Sequence, residues 1–195
     1  MYHICDLQEL DNKEAELQLN DYYIFNEIFS EEECLKIIRE FDELVQFDRP
    51  VRSDALRNSC VVDQLKHEWI YDRLSNLVLE ANKAMWKFHI SGIAEPVKYI
   101  RYNTGDAEAP RVDIGKNFNE SSKQNRKISM SLNLSDKDSY EGGDILLHNN
   151  GTPSYITKER GSCVLFPSWL MNGVTTITKG ERRSLSAWVT GPPFS

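Results

Sequence analysis

The spacing of apolar residues changes near residue 92. Before that point it is helical. Leu35, Ile38, Phe41, Leu44 and Val45 recur at helical intervals directly after Ser30-Glu31-Glu32-Glu33. In that start the Ser30 hydroxyl can accept from a free first-turn amide while Glu33 reaches back, so a helix is predicted from there. Trp69, Ile70, Leu74, Leu77, Val78, Ala81 and Met85 predict a second helix over Glu68 to Phe88, and such a stripe is a packing face. After Ser91-Gly92 the period shortens to two. Arg126 to Leu134 sets Ile128, Met130, Leu132 and Leu134 on one face and Ser129, Ser131 and Asn133 on the other, which is the alternation of a strand. Further short strands are predicted at Val97 to Tyr102, Asp144 to Leu147, Tyr155 to Thr157, Cys163 to Phe166, Gly173 to Ile177 and Arg182 to Thr190. Gly142-Gly143, Asn149-Asn150-Gly151 and Lys179-Gly180 punctuate them. Many short strands with turn signals point to a sandwich or barrel, and helices that precede the strands point to helices packed on one of its sheets.

The 195 residues suffice for one domain with a sizeable core. We expect a single domain over 1–195, with 1–92 mostly helical support and 93–195 the β core. A net charge of −7 disfavours nucleic acid as a partner. No apolar stretch is long enough to span a bilayer, and Met1 to Leu10 has no basic region of the secretory kind. An intracellular protein without membrane association is expected. Cys5, Cys34, Cys60 and Cys163 show no C-x-x-C spacing, so free buried thiols are expected rather than a zinc site.

Tyr140-Glu141-Gly142-Gly143-Asp144, Gly161 to Ser168 (GSCVLFPS), Thr178 to Leu185 (TKGERRSL) and Trp188 to Phe194 (WVTGPPF) follow one another in the C-terminal part. Arg126-Lys127-Ile128-Ser129 and the Tyr102 to Asp113 segment precede them. In this order they resemble the prolyl-4-hydroxylase-like type of the 2-oxoglutarate/Fe(II) dioxygenase family. The resemblance implies a mainly β, α+β fold: a double-stranded β-helix, or jelly roll, with N-terminal supporting helices. It also implies Fe(II) held by an H-x-D pair and a later His, with a basic residue ten positions beyond that His for the far carboxylate of 2-oxoglutarate.

Carried over residue by residue, the basic position is Arg182, which shares a strand face with Ser184, and the aromatic of the preceding strand is Tyr102. These three are the expected cofactor-binding residues. The metal positions fall on Arg111, Asp113 and Asn172, and the aromatic position before them falls on Glu108. Arginine offers no lone pair, and an amide oxygen is a poor ligand for Fe(II). The expectation is therefore no metal, no cofactor and no catalytic residue. The protein would be a pseudoenzyme with a binding or structural role and protein partners, a virion or phage assembly component being one outlet. Two alternatives remain. One is an active oxygenase that uses Fe(II) and 2-oxoglutarate with an unusual ligand set. The other is a non-catalytic dicarboxylate-binding module. Arg111 either pairs with Asp113 in place of the metal, with Asn172 donating to the same carboxylate, or is solvated. Among the histidines, His67 and His89 are read as flanking the second helix, where a C-terminal His89 gains from the helix dipole, and His148 as a surface residue.

Overall fold

The protein is described by a computed structural model covering residues 22–48, 57–114, 124–149, 152–156 and 158–193. His3 and Cys5 lie outside these residues. The first helix, α1 (Glu31–Phe41), begins as the sequence dictates. Ser30 Oγ accepts from the Glu33 amide, and the Glu33 carboxylate accepts from the Ser30 amide. It ends at Phe41, short of the predicted stripe, and Leu44 is exposed. The second helix, α2 (Glu68–Ala81), gives way to a π-helical turn (Asn82–Trp86) and then to Lys87 in the left-handed region. The Asn82 side chain stops the helix, donating to the Phe88 carbonyl and accepting from the Phe88 amide. His89 therefore lies beyond the helix, and the dipole does not explain it. His67 is at the N-cap of α2.

Among the described residues thirteen strands run in chain order as β1 (Tyr23–Phe25), β2 (Gln46–Asp48), β3 (Arg57–Val61), β4 (Lys98–Tyr102), β5 (Glu108–Arg111), β6 (Asn125–Asn133), β7 (Tyr140–Glu141), β8 (Ile145–Asn149), β9 (Thr152–Tyr155), β10 (Cys163–Pro167), β11 (Met171–Val174), β12 (Lys179–Gly180) and β13 (Arg182–Gly191). A seven-stranded sheet runs β1-β10-β6-β13-β4-β3-β2. A four-stranded sheet runs β5-β11-β8-β9, and β12 pairs with β7. Every pairing among the described strands is antiparallel. This is the jelly roll with supporting helices that the motif order implies. Three strands of the large sheet come from the helical half, at its two edges.

Alternation on β6 sorts the interior as the sequence pattern requires. Ile128, Met130, Leu132 and Leu134 join Phe41, Ile70 and Leu74 in the core between the large sheet and the helices. The other face of the large sheet meets the small one. There Val164 and Phe166 pack against Ile145 and Leu147, while Ile100 and Tyr102 pack against Tyr140, Val174 and Ile177. Between those two apolar clusters the space is lined by polar side chains, Ser129, Ser131 and Ser186 among them. A polar band inside a jelly roll is costly unless its groups are satisfied. It marks the place to look for chemistry.

Candidate functional site

Strand β5 is the outer strand of the small sheet and carries Pro110, a position where a proline removes no ladder bond. Arg111 stands opposite Asn172 on β11, and Glu108 stands opposite Val174. Three steps on β5 thus match two on β11, which makes this a β-bulge. The extra residue brings Glu108 and Arg111, which a regular strand would send to opposite faces, to the same side. Both point inward. Gly173 makes the close approach of the two strands possible, because a Cβ there would stand 2.8 Å from the Glu108 carbonyl oxygen.

The result is a buried charge cluster. Arg111 Nη1 pairs with Glu108 Oε2, and its Nε lies 3.5 Å from Asp113 Oδ1. Glu108 Oε1 accepts from the Tyr102 hydroxyl at 2.6 Å. Asp113 Oδ2 accepts from Ser129 Oγ at 2.8 Å and from Trp188 Nε1 at 3.1 Å. Ser168 Oγ lies 3.0 Å from Ser129 Oγ and extends the chain. Both carboxylates are sealed in, Glu108 at 5% exposure and Asp113 at 3%. Burial by itself lowers the pKa of the Arg111 guanidinium, but the charges of Glu108 and Asp113 outweigh it and hold the group above its ordinary value. The cavity left beside the cluster measures about 30 Å³, room for little more than a water molecule.

Of the two possibilities for Arg111, the inward one is observed. Its closest partner is nevertheless Glu108, with Asp113 second. Asn172 does not donate to Asp113; its Nδ2 is turned to the Arg111 and Leu170 carbonyls at 3.1 and 3.2 Å. Glu108 is the site residue that reading by motif missed. The signal for it was its own charge, at a position where the family has an aromatic residue. Trp188 was also missed. Besides its bond to Asp113, its ring is covered by the Arg126 guanidinium, 4.1 Å from the centroid, which Glu95 holds at 2.5 Å through both Nε and Nη2.

The three expected cofactor residues lie together on the large sheet. Arg182 is paired across the strands with Tyr102, and its guanidinium carbon sits 5.2 Å from the Tyr102 ring centroid. Ser184 follows on the same face of β13. Tyr140 closes the group from the small sheet's side. Burial pushes the Tyr140 phenol up, and the Arg182 guanidinium beside it offsets part of that push.

The residues at the three ligand positions do not fit Fe(II). Arg111 supplies a cation where a metal would need a lone pair. The amide of Asn172 is already engaged through its nitrogen. Asp113 accepts two hydrogen bonds at Oδ2, and its Oδ1, without a hydrogen-bond partner among the described residues, has the Arg111 cation 3.5 Å away. Among the described residues no group of three or more His, Cys, Asp or Glu side chains is placed to hold a metal ion. His148 is not a surface residue as expected. It is half-buried on β8, and its Nε2 is shielded from solvent without a hydrogen-bond partner among the described residues. It alternates with Leu147, which faces the interior opposite Asn172, so it points away from Asp113.

The description of the 2OG-Fe(II) oxygenase superfamily matches residues 97–190. A PKHD-type hydroxylase of Shewanella sp. (strain MR-7) is 25% identical over 167 residues, covering 83% of this chain and 75% of that protein. A PKHD-type hydroxylase of Psychrobacter sp. (strain PRwf-1) is 28% identical over 124 residues, covering 61% of this chain and 48% of its own length. The chain thus spans about half of that relative. Among solved structures, a Pseudomonas putida prolyl-4-hydroxylase superposes with a TM-score of 0.70 at 16% identity, covering 92% of this chain and 97% of that one. A viral collagen prolyl hydroxylase from Paramecium Bursaria Chlorella virus-1 superposes with a TM-score of 0.68 at 17% identity, covering 87% and 96%. Among the described residues no helix is long and apolar enough to cross a membrane.

Proposed function

From a chain related to the 2OG-Fe(II) oxygenase superfamily, with a prolyl-4-hydroxylase-like fold, we propose a non-catalytic descendant that serves as a binding or structural domain. One observation carries this reading. The guanidinium of Arg111, paired with Glu108 and Asp113, stands where the family places a ligand of the iron. The positive charge that offsets the buried carboxylate comes from the protein, so no metal is required to satisfy it. The loss of iron binding and the retention of the fold are then one event, because the replacement keeps the interior charge paired. Protein partners are the binding class proposed.

The competing reading is an oxygenase with an unusual ligand set. What favours it is the presence of two carboxylates, Glu108 and Asp113, at one place. It requires Arg111 to leave both of them. The set that remained would be oxygen-only, which suits harder ions better than Fe(II). The test is anaerobic reconstitution with Fe(II), followed by measurement of bound iron and of succinate released from 2-oxoglutarate in air. Substoichiometric iron and no succinate above a protein-free control are expected. Iron-dependent succinate release would defeat the proposal.

A further inference from the structure

The inner face of the small sheet carries the buried charge cluster, and its outer face carries the opposite kind of surface. Ile145, Leu147 and Asn172 point inward, so alternation along the strands turns Leu146, His148 and Met171 outward. The register sets Met171 beside His148, His148 beside Pro153, and Leu146 beside Tyr155. Val112, next after Arg111, falls beside Met171. These positions form two adjoining rows across the sheet. None of them is Asp, Glu, Lys or Arg, in a chain of which 27% of residues are charged. Val112, Met171 and Tyr155 are exposed, and so is Trp169 in the turn before β11. The Nε2 of His148, in the middle, is shielded from solvent. The ion pair of Asp144 with Lys158 gives the patch a charged border beyond the second row. A soluble chain rarely leaves a contiguous apolar patch open unless something docks on it.

Backbone chemistry decides how a partner meets this sheet. Its outer strands each carry a proline, Pro110 on β5 and Pro153 on β9. Each proline removes a donor from an open edge and discourages a further strand there. Contact is therefore made through the face. Charge then decides what the partner is. With a net charge of −7, two copies of the chain repel across most of their surfaces, and the uncharged face is where they approach at least cost. A second copy also offers the same face in return, as a twofold axis requires. Two sheets packed in this way lie about 10 Å apart with their strands nearly aligned. Four strands about 4.8 Å apart, with residues about 3.3 Å apart along each, make the face roughly 20 Å wide and 15 Å long. With the Trp169 shoulder, two copies bury on the order of 1,000 Å², the lower end of the range for a specific interface. We propose that the outer face of the small sheet, centred on Met171, His148 and Tyr155, is a twofold interface between two copies of this chain, which form a dissociable dimer. The face lies on the other side of the sheet from Arg111 and Asp113, so the inference does not depend on the iron-free reading above.

Sedimentation velocity of the full chain over a concentration series, at low and at high salt, tests the interface. The parent is expected to pass from one chain to two with a midpoint on the order of 10–100 µM. High salt screens the repulsion between two negative copies and is expected to tighten the dimer at least about threefold. Met171→Glu and Tyr155→Lys each place a charge in the face and are expected to weaken the dimer at least about tenfold. Their Tm is expected to match that of the parent at dilutions where the parent is a single chain. Leu65→Glu charges the most exposed of the large hydrophobic residues, 95% exposed and in the helical half, and is expected to leave the dimer unchanged. A parent that stays a single chain up to millimolar concentration would overturn the interface. So would a dimer that survives both face variants, one that Leu65→Glu abolishes, or one that salt loosens. None of these outcomes bears on iron content, which the reconstitution experiment judges separately.

Discussion

Arg111 holds one positive charge between two sealed carboxylates, so its removal reports on the whole cluster. Arg111→Ala leaves Glu108 and Asp113 buried without a cation, and a loss of roughly 3–5 kcal/mol in urea unfolding is expected. Adding Glu108→Gln to Arg111→Ala is expected to recover part of that loss, because one of the two orphaned charges disappears. Millimolar Mn²⁺ is expected to raise the Tm of Arg111→Ala saturably and to leave the parent unchanged, since the emptied space faces two oxygen ligands. An Arg111→Ala protein that is as stable as the parent would show that the pair contributes nothing. The sequence made Arg111 and Asp113 legible, because residues two apart on a strand share a face. It hid Glu108, because residues three apart do not share one. Only the bulge against Asn172 and Val174 turns it inward, and a bulge arises from how two distant strands meet.

At the scale of elements, α1 is tied to the large sheet through one side chain. Asp42, the C-cap of α1, accepts from Tyr99 Oη at 2.8 Å and from Arg183 Nη2 at 2.9 Å, with Arg101 Nη1 3.9 Å away. Burial alone would raise its pKa, but the bonds and charges of Arg183, Tyr99 and Arg101 outweigh it and hold the carboxyl below its ordinary value. A depressed carboxylate contributes stability that is complete above the unfolded-chain pKa, near 4 for Asp, and is lost as pH falls through the lower folded value. Asp42→Asn is therefore expected to cost on the order of 1 kcal/mol at pH 7, after allowance for partial solvent screening. It is expected to cost clearly less near pH 2. Equal destabilisation at both pH values would contradict the staple. The second element-scale expectation concerns β5 and β11. Arg111 and Asn172 are direct cross-strand partners, so Arg111→His with Asn172→His sets two imidazoles side by side next to Asp113. The double variant is expected to bind Co(II) with visible absorption, and neither single variant to do so. Colourless protein in the double variant would mean that the scaffold no longer holds ligand geometry. The capping box of α1 and the alternation of β6 could be read directly, because each is complete within a few consecutive residues. Strands β1, β2 and β3 could not. They are three to five residues long and owe their form to the edges they pair with. The stop of α2 at Ala81 depends on the Asn82 side chain closing on Phe88, and the apolar stripe runs through that point without a break.

Across the whole molecule the thiols report on intactness. Burial pushes the Cys34 and Cys60 thiols up to about 11 and raises Cys163 further. At pH 8 only about one in a thousand of the first two is thiolate, and thiolate is the reactive form. In a Cys5→Ser background, labelling by a disulfide reagent is expected to be slow in native buffer and complete within the dead time in denaturant. Fast labelling of any one of the three without denaturant would reveal local opening of its region. The overall class of fold was legible because helices precede strands and the motifs keep their order. The interlacing of the sheet was not, because it is a property of distant pairings. Strand β13 lies between β6 and β4, pairing with β4 over Arg182 to Ser186 and with β6 over Ser184 to Gly191. It is nevertheless the last of the described strands in chain order. A nascent chain emerging from the ribosome therefore carries β4 and β6 with nothing between them, and the halves of the large sheet have no shared edge until residues 182–191 have cleared the exit tunnel. Pairings this distant are slow to close and leave apolar surface uncovered while they wait. Until then the edges of β4 and β6 that β13 will cover are open to pairing with another chain.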